Sequence, residues 1–366
     1  MPKKLRPDRT LFLITLVLVA LGVAMVFSSS VTVAKERYND PYMFAFKQLL
    51  ASVIGLATML VAMKVDYHYY RSPLVVFSGL SIVISLLVLV FFLPPSANVQ
   101  RWIPLPGFSF QPSEMAKLAL VLFFAYLLEK RQDTVNEVGT LIPALAMAGL
   151  IAGLILLEPD LGTAVSMMLV MASLLFVAGL ALRWFLGAIL LAAPAFYFFV
   201  LRVPWRRARI LVFLDPHADP QGIGFQPWQS LISVGTGGIS GLGFMEGKQK
   251  LFYLPAAHTD FIYAVIGEEL GLIGAVAVLG LFAAFVWRGV RASRSAPDSF
   301  GFYLALGITL TIGLQAFINM SVVLSLLPTK GIPLPFLSYG GSSFIVMLAA
   351  VGILLNVSQQ SRAGVT

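Results

Sequence analysis

Residues 11–30 read LFLITLVLVALGVAMVFSSS, and this uncharged stretch decides the fold. A helix needs about 20 apolar residues, rising 1.5 Å each, to cross a hydrocarbon core roughly 30 Å thick. Lys3, Lys4, Arg6 and Arg9 precede it, so the segment imitates a secretion signal. The uncharged run from Thr10 to Ala34 is too long for an ordinary signal core and lacks a small-x-small cleavage site. It predicts a first membrane helix that stays.

Nine runs of the same kind follow, at about 43–63, 73–93, 113–129, 139–157, 162–182, 184–201, 261–287, 300–325 and 340–357. The run at 113–129 is the least apolar, because it carries Glu114 and Lys117 into the membrane boundary. The expected fold class is all-α integral membrane, one membrane domain over residues 1–366. It is a polytopic bundle of about ten transmembrane helices, with a long, partly structured extracytoplasmic loop at 202–260 between helices 7 and 8. Composition agrees: 58% of the 366 residues are hydrophobic and 11% charged, where soluble domains run near a quarter charged. The net charge of +8 does not point to nucleic acid, since the basic residues flank membrane helices rather than interleave with aromatics. The absence of cysteine excludes disulfides and thiolate metal sites.

Ten spans put both termini on one side, and loop charge chooses which. With the N-terminus inside, the inner segments hold 13 Lys/Arg, Arg362 among them, and the short outer segments six. Six more lie in 202–260, a loop long enough to translocate regardless of charge. Both termini are therefore expected in the cytoplasm. The outer side then receives the loop 94–112, the turn at Glu158–Gly162, the loop 202–260 and the loop 326–339. Prolines crowd these loops (Pro94, Pro95, Pro104, Pro106 and Pro112 in one, Pro328, Pro333 and Pro335 in another), which makes them shaped rather than flexible.

Five motifs carry polar groups to that side. Phe110-Gln111-Pro-Ser113-Glu114-Met-Ala-Lys117 suits a helix start, with Glu114 and Lys117 on one face. The pair fits a structural ion pair at a helix mouth, and Lys117 also suits a phosphate. In Glu158-Pro-Asp160-Leu-Gly-Thr163, Asp160 suits a cap for the next helix. The glycine-rich stretch Ser233–Gly243 fits either close helix packing or an anion nest. Lys248-Gln-Lys250 and His258-Thr259-Asp260 close the long loop as a span begins, and that span carries Glu268 and Glu269. Eight residues at 100° each place Glu268 about 80° round from Asp260, so both are expected to look into one cavity. A carboxylate at a membrane mouth beside lysines and a histidine suits proton abstraction near an anionic substrate. Lys330, Ser338, Ser342 and Ser343 lie in the last motif, Leu327–Ser343, whose Gly/Ser-rich helix start suits an anion. Ser343 has no activating base in sequence and is not expected to be a nucleophile.

At these motifs the chain resembles the SEDS family (shape, elongation, division and sporulation). The matches are Phe110–Lys117, Pro159–Thr163, Asp215-Pro216, Gly222–Ser230, Lys250–Gly271 and Pro328–Ser343, covering roughly residues 10–357. The most specific are His258-Thr-Asp-Phe-Ile with Gly267-Glu-Glu-Leu-Gly, and Pro333-Leu-Pro-Phe-Leu-Ser-Tyr-Gly-Gly-Ser-Ser. The resemblance implies a peptidoglycan glycosyltransferase that polymerises lipid II at the outer face of the bacterial inner membrane, with a class B penicillin-binding protein and other divisome or elongasome membrane proteins as partners. It places the essential aspartate on Asp260, the acidic–basic pair on Glu114 and Lys117, and the loop arginine on Arg101. Gln111, Ser113, Asp160, Lys250, His258, Thr259, Lys330, Ser338, Ser342 and Ser343 complete the expected substrate-binding set. Arg207, Phe213–Pro216 and Gln249–Pro255 look more like the division branch than the elongation branch. One departure is Ala256, where many members carry glutamate. No cofactor is required, although Glu114 and Asp160 are candidate ligands for a divalent cation (Mg or Mn). A lipid II flippase and a non-catalytic divisome scaffold are the rival readings.

Overall fold

The computed structural model describes residues 7–94, 100–105, 108–215, 219, 222–251 and 253–360. Lys3, Lys4, Arg6, Pro95, Pro106, Pro216 and Arg362, used above, lie outside them.

Twelve α-helices carry the described chain. They are α1 (Arg9–Tyr38), α2 (Met43–Lys64), α3 (Pro73–Val90), α4 (Pro112–Arg131), α5 (Val138–Leu157), α6 (Leu161–Val177), α7 (Leu182–Phe196), α8 (Pro204–Leu214), α9 (Phe225–Gly237), α10 (Ile262–Arg294), α11 (Ser299–Val323) and α12 (Gly341–Gln359). Seven are long and apolar enough to cross a membrane (α1, α2, α3, α5, α10, α11 and α12), and the shorter α6 and α7 are apolar as well. The sequence starts them in ordinary ways. Asp8, Ser72, Asp160 and Asp298 each accept a backbone N–H as N-cap, and Pro73, Pro112 and Pro204 open α3, α4 and α8. The all-helical membrane class holds, with one small exception in the loop before α4. There β1 (Ile103–Leu105) and β2 (Phe108–Phe110) pair antiparallel and set Gln111 at the mouth of α4.

The centre of the bundle is α11 and α12, whose most apolar stretches are mostly buried, whereas α2 and α3 bury little more than a quarter of theirs. Small residues bring the helices close. A Cβ at Gly352 of α12 would overlap the Met59 carbonyl of α2, and one at Gly22 of α1 would overlap the Phe336 carbonyl. Met59, Leu348 and Leu354 close the seam without exposed surface. The long loop 202–260 is partly structured, as expected, since it contains α8 and α9.

The run at 261–287 is not one uninterrupted helix. Gly271 sits at φ 64°, ψ −165° and breaks α10 after its first nine residues, 262–270. The break lets the chain admit the glycine-rich segment: Leu242 and Gly243 donate to the carbonyls of Glu268 and Glu269, and Leu272 and Ile273 to those of Gly238 and Ile239. A Cβ at Gly241 or Gly271 would overlap the opposing backbone. The glycine-rich segment is therefore packing surface, and its backbone is not an anion nest for substrate. Gly271→Ala combines forbidden backbone angles with a steric overlap, so it should cost about 2 kcal/mol or more. A lowered unfolding midpoint of the purified protein checks this.

Candidate active site

Asp260 precedes α10 by two residues and is reached from three directions. Asn319 of α11 donates from Nδ2 to the Asp260 carbonyl at 2.7 Å and to the Ile332 carbonyl at 2.7 Å. One amide thus ties the loop 256–261 to the loop 328–339. Ser338 Oγ donates to the Thr259 carbonyl at 2.5 Å, and the Tyr339 amide to the His258 carbonyl at 2.9 Å. Ala256 takes φ 57°, and its carbonyl receives the amides of Thr259 and Phe261, which closes the turn that aims Asp260. Gly331 lies over the carboxylate, and a Cβ there would sit 3.0 Å from Asp260 Oδ2.

The charges around Asp260 come from separate elements. Arg101 reaches Asp160 Oδ2 at 3.6 Å. Asp160 caps α6 through Thr163 (N–H at 3.0 Å, Oγ1 at 2.9 Å) and accepts from Gln111 Nε2 at 3.3 Å. Arg209 of α8 donates to the Thr329 carbonyl at 3.4 Å and stacks over Trp205 at 5.2 Å. Burial raises the Asp260 carboxyl to about 6; Arg101 opposes that, Asp160 adds to it, and Arg209 opposes it. Desolvation lowers Arg209 and Lys330 from their ordinary values. Glu158 is fully buried with neither carboxylate oxygen hydrogen-bonded, and burial followed by the Asp160 charge lifts it to about 8, against Arg101.

Several residues expected to touch substrate are occupied instead. Lys117 donates to Glu114 at 2.9 Å and to Gln315 Oε1 at 2.7 Å, while Ser343 donates to Glu114 Oε2 at 2.7 Å. Gln315 continues to the Pro333 carbonyl at 2.9 Å, so the ion pair braces the loop over Asp260 from below. Lys250 is buried at 2.6 Å from Glu269 and 3.0 Å from Ser28 Oγ, so its charge is spent inside the fold. Glu268 accepts the amides of Lys248 and Gln249 together with Ser233 Oγ, and does not share a cavity with Asp260 as its helical angle implied. The break at Gly271 is what allows the loop to fold onto both glutamates.

His258, Gln111, Ser113 and Ser342 also have partners within the fold. His258 packs its ring on Phe44 at 4.9 Å and Tyr339 at 5.9 Å, and burial together with Arg37 lowers it to about 4, which keeps it neutral. Ser342 accepts the Gln111 amide at 3.2 Å, and Ser113 receives Gln111 Nε2 at 2.9 Å. The serine hydroxyls at the start of α12 therefore bind the start of α4. Glu114 and Asp160 have their oxygens committed to Lys117, Ser343, Thr163 and Gln111, and no cluster of three metal-binding side chains occurs among the described residues.

Sequence reasoning missed Arg209 and the isolation of Glu158. Arg209 is one of four arginines in 202–209, and only the return of α8 to the loop at Thr329 singles it out. Glu158 was visible in its motif, but its lack of partners is a tertiary fact.

The fold and site define a polytopic membrane protein with a half-buried carboxylate, Asp260, under the charge of two arginines at one end of the bundle. The chain belongs to the cell cycle protein family of FtsW, RodA and SpoVE, whose pattern matches residues 8–363. It is 45% identical over 362 residues to the probable peptidoglycan glycosyltransferase FtsW of Geobacter metallireducens, covering 98% of this chain and 96% of that one. Stage V sporulation protein E of Bacillus subtilis is 43% identical over 366 residues, covering 98% and 99%. Among solved structures, a chain of a peptidoglycan synthase complex superimposes with a TM-score of 0.79 at 29% identity, covering 96% and 97%. The rod shape determining protein RodA of Thermus thermophilus gives 0.71 at 26%, covering 98% and 99%. The lean toward the division branch agrees with the FtsW relatives.

Two expected outcomes follow from the buried charges. Lys250→Met leaves Glu269 uncompensated and should cost about 3–5 kcal/mol, whereas Lys250→Met with Glu269→Met should recover much of it; unfolding midpoints of both variants check this. Glu158 has a folded value near 8 against an ordinary 4.5, so native stability falls as pH rises between them. Glu158→Gln should therefore gain stability over wild type progressively from pH 4.5 to 8 and level off above, as measured by melting across that range.

Proposed function

We propose that this chain is a peptidoglycan glycosyltransferase that joins lipid II molecules into glycan strands, with Asp260 as general base. The observation that carries the reading is a half-buried Asp260 held between the loops 256–261 and 328–339 by Asn319, with the charges of Arg101 and Arg209 acting on it and its carboxyl raised to about 6. Such a group is ionised at neutral pH yet basic enough to accept a proton. Asp260 takes the proton of the acceptor sugar's 4-hydroxyl as that oxygen attacks C1 of the donor's N-acetylmuramic acid, with inversion. The C1–oxygen bond to the diphosphate breaks, and the undecaprenyl diphosphate leaves with the bonding pair. A diphosphate leaves well without a general acid, so one carboxylate suffices where glycoside hydrolysis uses two. Arg101, Arg209 and Lys330 supply the cations for its developing charge; Lys117 and Lys250 are committed elsewhere.

The membrane orientation follows the same reading. The chain is a multi-pass protein of the bacterial inner membrane, its ten apolar runs forming one domain. The Asp8 amide meets Ser358 Oγ at 3.2 Å, which supports both termini at one end. Loop charge makes that end cytoplasmic, and the Asp260 end extracytoplasmic. A class B penicillin-binding protein is the expected partner in division, supported by the likeness to a chain from a complex that coordinates polymerization and crosslinking. A flippase needs ionisable groups along a path through the bilayer. Here Glu114, Lys117, Glu268, Glu269 and Lys250 are all satisfied within the fold.

Purified with its penicillin-binding protein and given lipid II, wild type should make strands, and Asp260→Ala should bind lipid II but make none. Full polymerisation by that variant would remove Asp260 as base, and translocation without polymerisation by wild type would favour the flippase. The wild-type rate should fall about tenfold per pH unit below roughly 6, as the base becomes protonated.

A further inference from the structure

A cavity of about 580 Å³ opens between α3, α4 and α5. It lies at the far end of α4 from the site: Gln111, the N-cap, donates to Asp160, whereas Lys130 and Arg131 end the helix 20 residues on. At 1.5 Å per residue the two ends are about 30 Å apart, a hydrocarbon thickness. The walls are apolar, chiefly Phe77, Phe123, Leu127, Met147 and Leu150. Pro143 inside α5, followed by the short Ala146, leaves the gap unfilled. Its volume falls among ordinary ligand pockets, roughly 300–1,000 Å³.

The rim is cationic. Lys130 and Arg131 line the cavity, and no acidic residue does. Lys130 Nζ donates to Tyr126 Oη at 2.7 Å and stands 4.5 Å from that ring's centre; Arg131 Nη1 donates to the Gly139 carbonyl at 2.6 Å. These contacts aim both groups and use one donor each, where an ammonium has three and a guanidinium five. The neighbouring Glu129 is turned to Arg71 at 2.9 Å, and Asp133 and Glu137 of the same connector lie outside the lining.

We propose that this cavity is a binding site for an anionic diacyl phospholipid of the leaflet opposite the active site. Its phosphate sits on Lys130 and Arg131, and one acyl chain runs along Phe123, Leu127 and Met147. An apolar hollow facing lipid fills with lipid chain, which gives no selectivity by itself. Selectivity comes from the rim, where charge-assisted hydrogen bonds favour a net negative headgroup over a zwitterionic one. The inference rests on the membrane reading but not on the chemistry at Asp260, so loss of one leaves the other measurable.

Native mass spectrometry of the full chain, titrated with phosphatidylglycerol or phosphatidylcholine, tests the proposal. Two interfacial cations should favour phosphatidylglycerol by about thirtyfold at low salt. Lys130→Gln with Arg131→Gln should reduce that preference to parity without weakening phosphatidylcholine. Ala146→Trp should fill the cavity and displace both lipids, with lipid II polymerisation unchanged in all variants. Equal binding of the two lipids by wild type would overturn the proposal, as would a preference that survives in the double variant.

Discussion

An unpaired charge in a hydrocarbon interior is costly, and three of this protein's buried glutamates show how the constraint is met. Glu114 is held by Lys117 and Ser343, Glu269 by Lys250 and Ser28, and Glu268 by two backbone amides and a serine. Each set joins segments far apart in the chain, so neutralising the charge also fastens the bundle. Less fully compensated is the set around Asp260: the charges of Arg101, Asp160 and Arg209 act on it, and the orphaned Glu158 feels Asp160 and Arg101 in turn. That imbalance is what the proposed anionic substrate would meet.

Asp260 is placed by groups that are themselves hydrogen-bonded within the fold. Asn319 holds its backbone, and the Glu114–Lys117–Gln315 chain holds the opposing loop through the Pro333 carbonyl. Removal of the ion pair would therefore loosen a loop rather than delete a binding contact. Gly331 is needed because the loop passes too near the carboxylate to carry a side chain comfortably. Burial raises Asp260 while the arginines restrain it, and a balance near 6 is what the proposed base role requires.

Much of this was legible in the sequence. Apolar runs located the helical stretches, since a run such as Met43–Lys64 has no other stable home. Asp160 was read as a helix cap, and Asp260 stood out by its position at a span's mouth. The fates of Lys250 and Glu268 were not legible, because they depend on a nine-residue helix ending at Gly271. Periodicity carries Glu268 round toward Asp260 only if the loop before it stays away, and the glycines let that loop close in. Lys117 looked free for phosphate because its second partner, Gln315, lies 198 residues away. Arg209 was hidden among like residues for the same reason.

The central claim is that Asp260 is a carboxylate whose environment makes it a base at neutral pH. Infrared difference spectra between wild type and Asp260→Asn, recorded across pH in membranes, isolate that single carboxyl. The account predicts a midpoint near 6, and a midpoint near the ordinary 3.8 would contradict it.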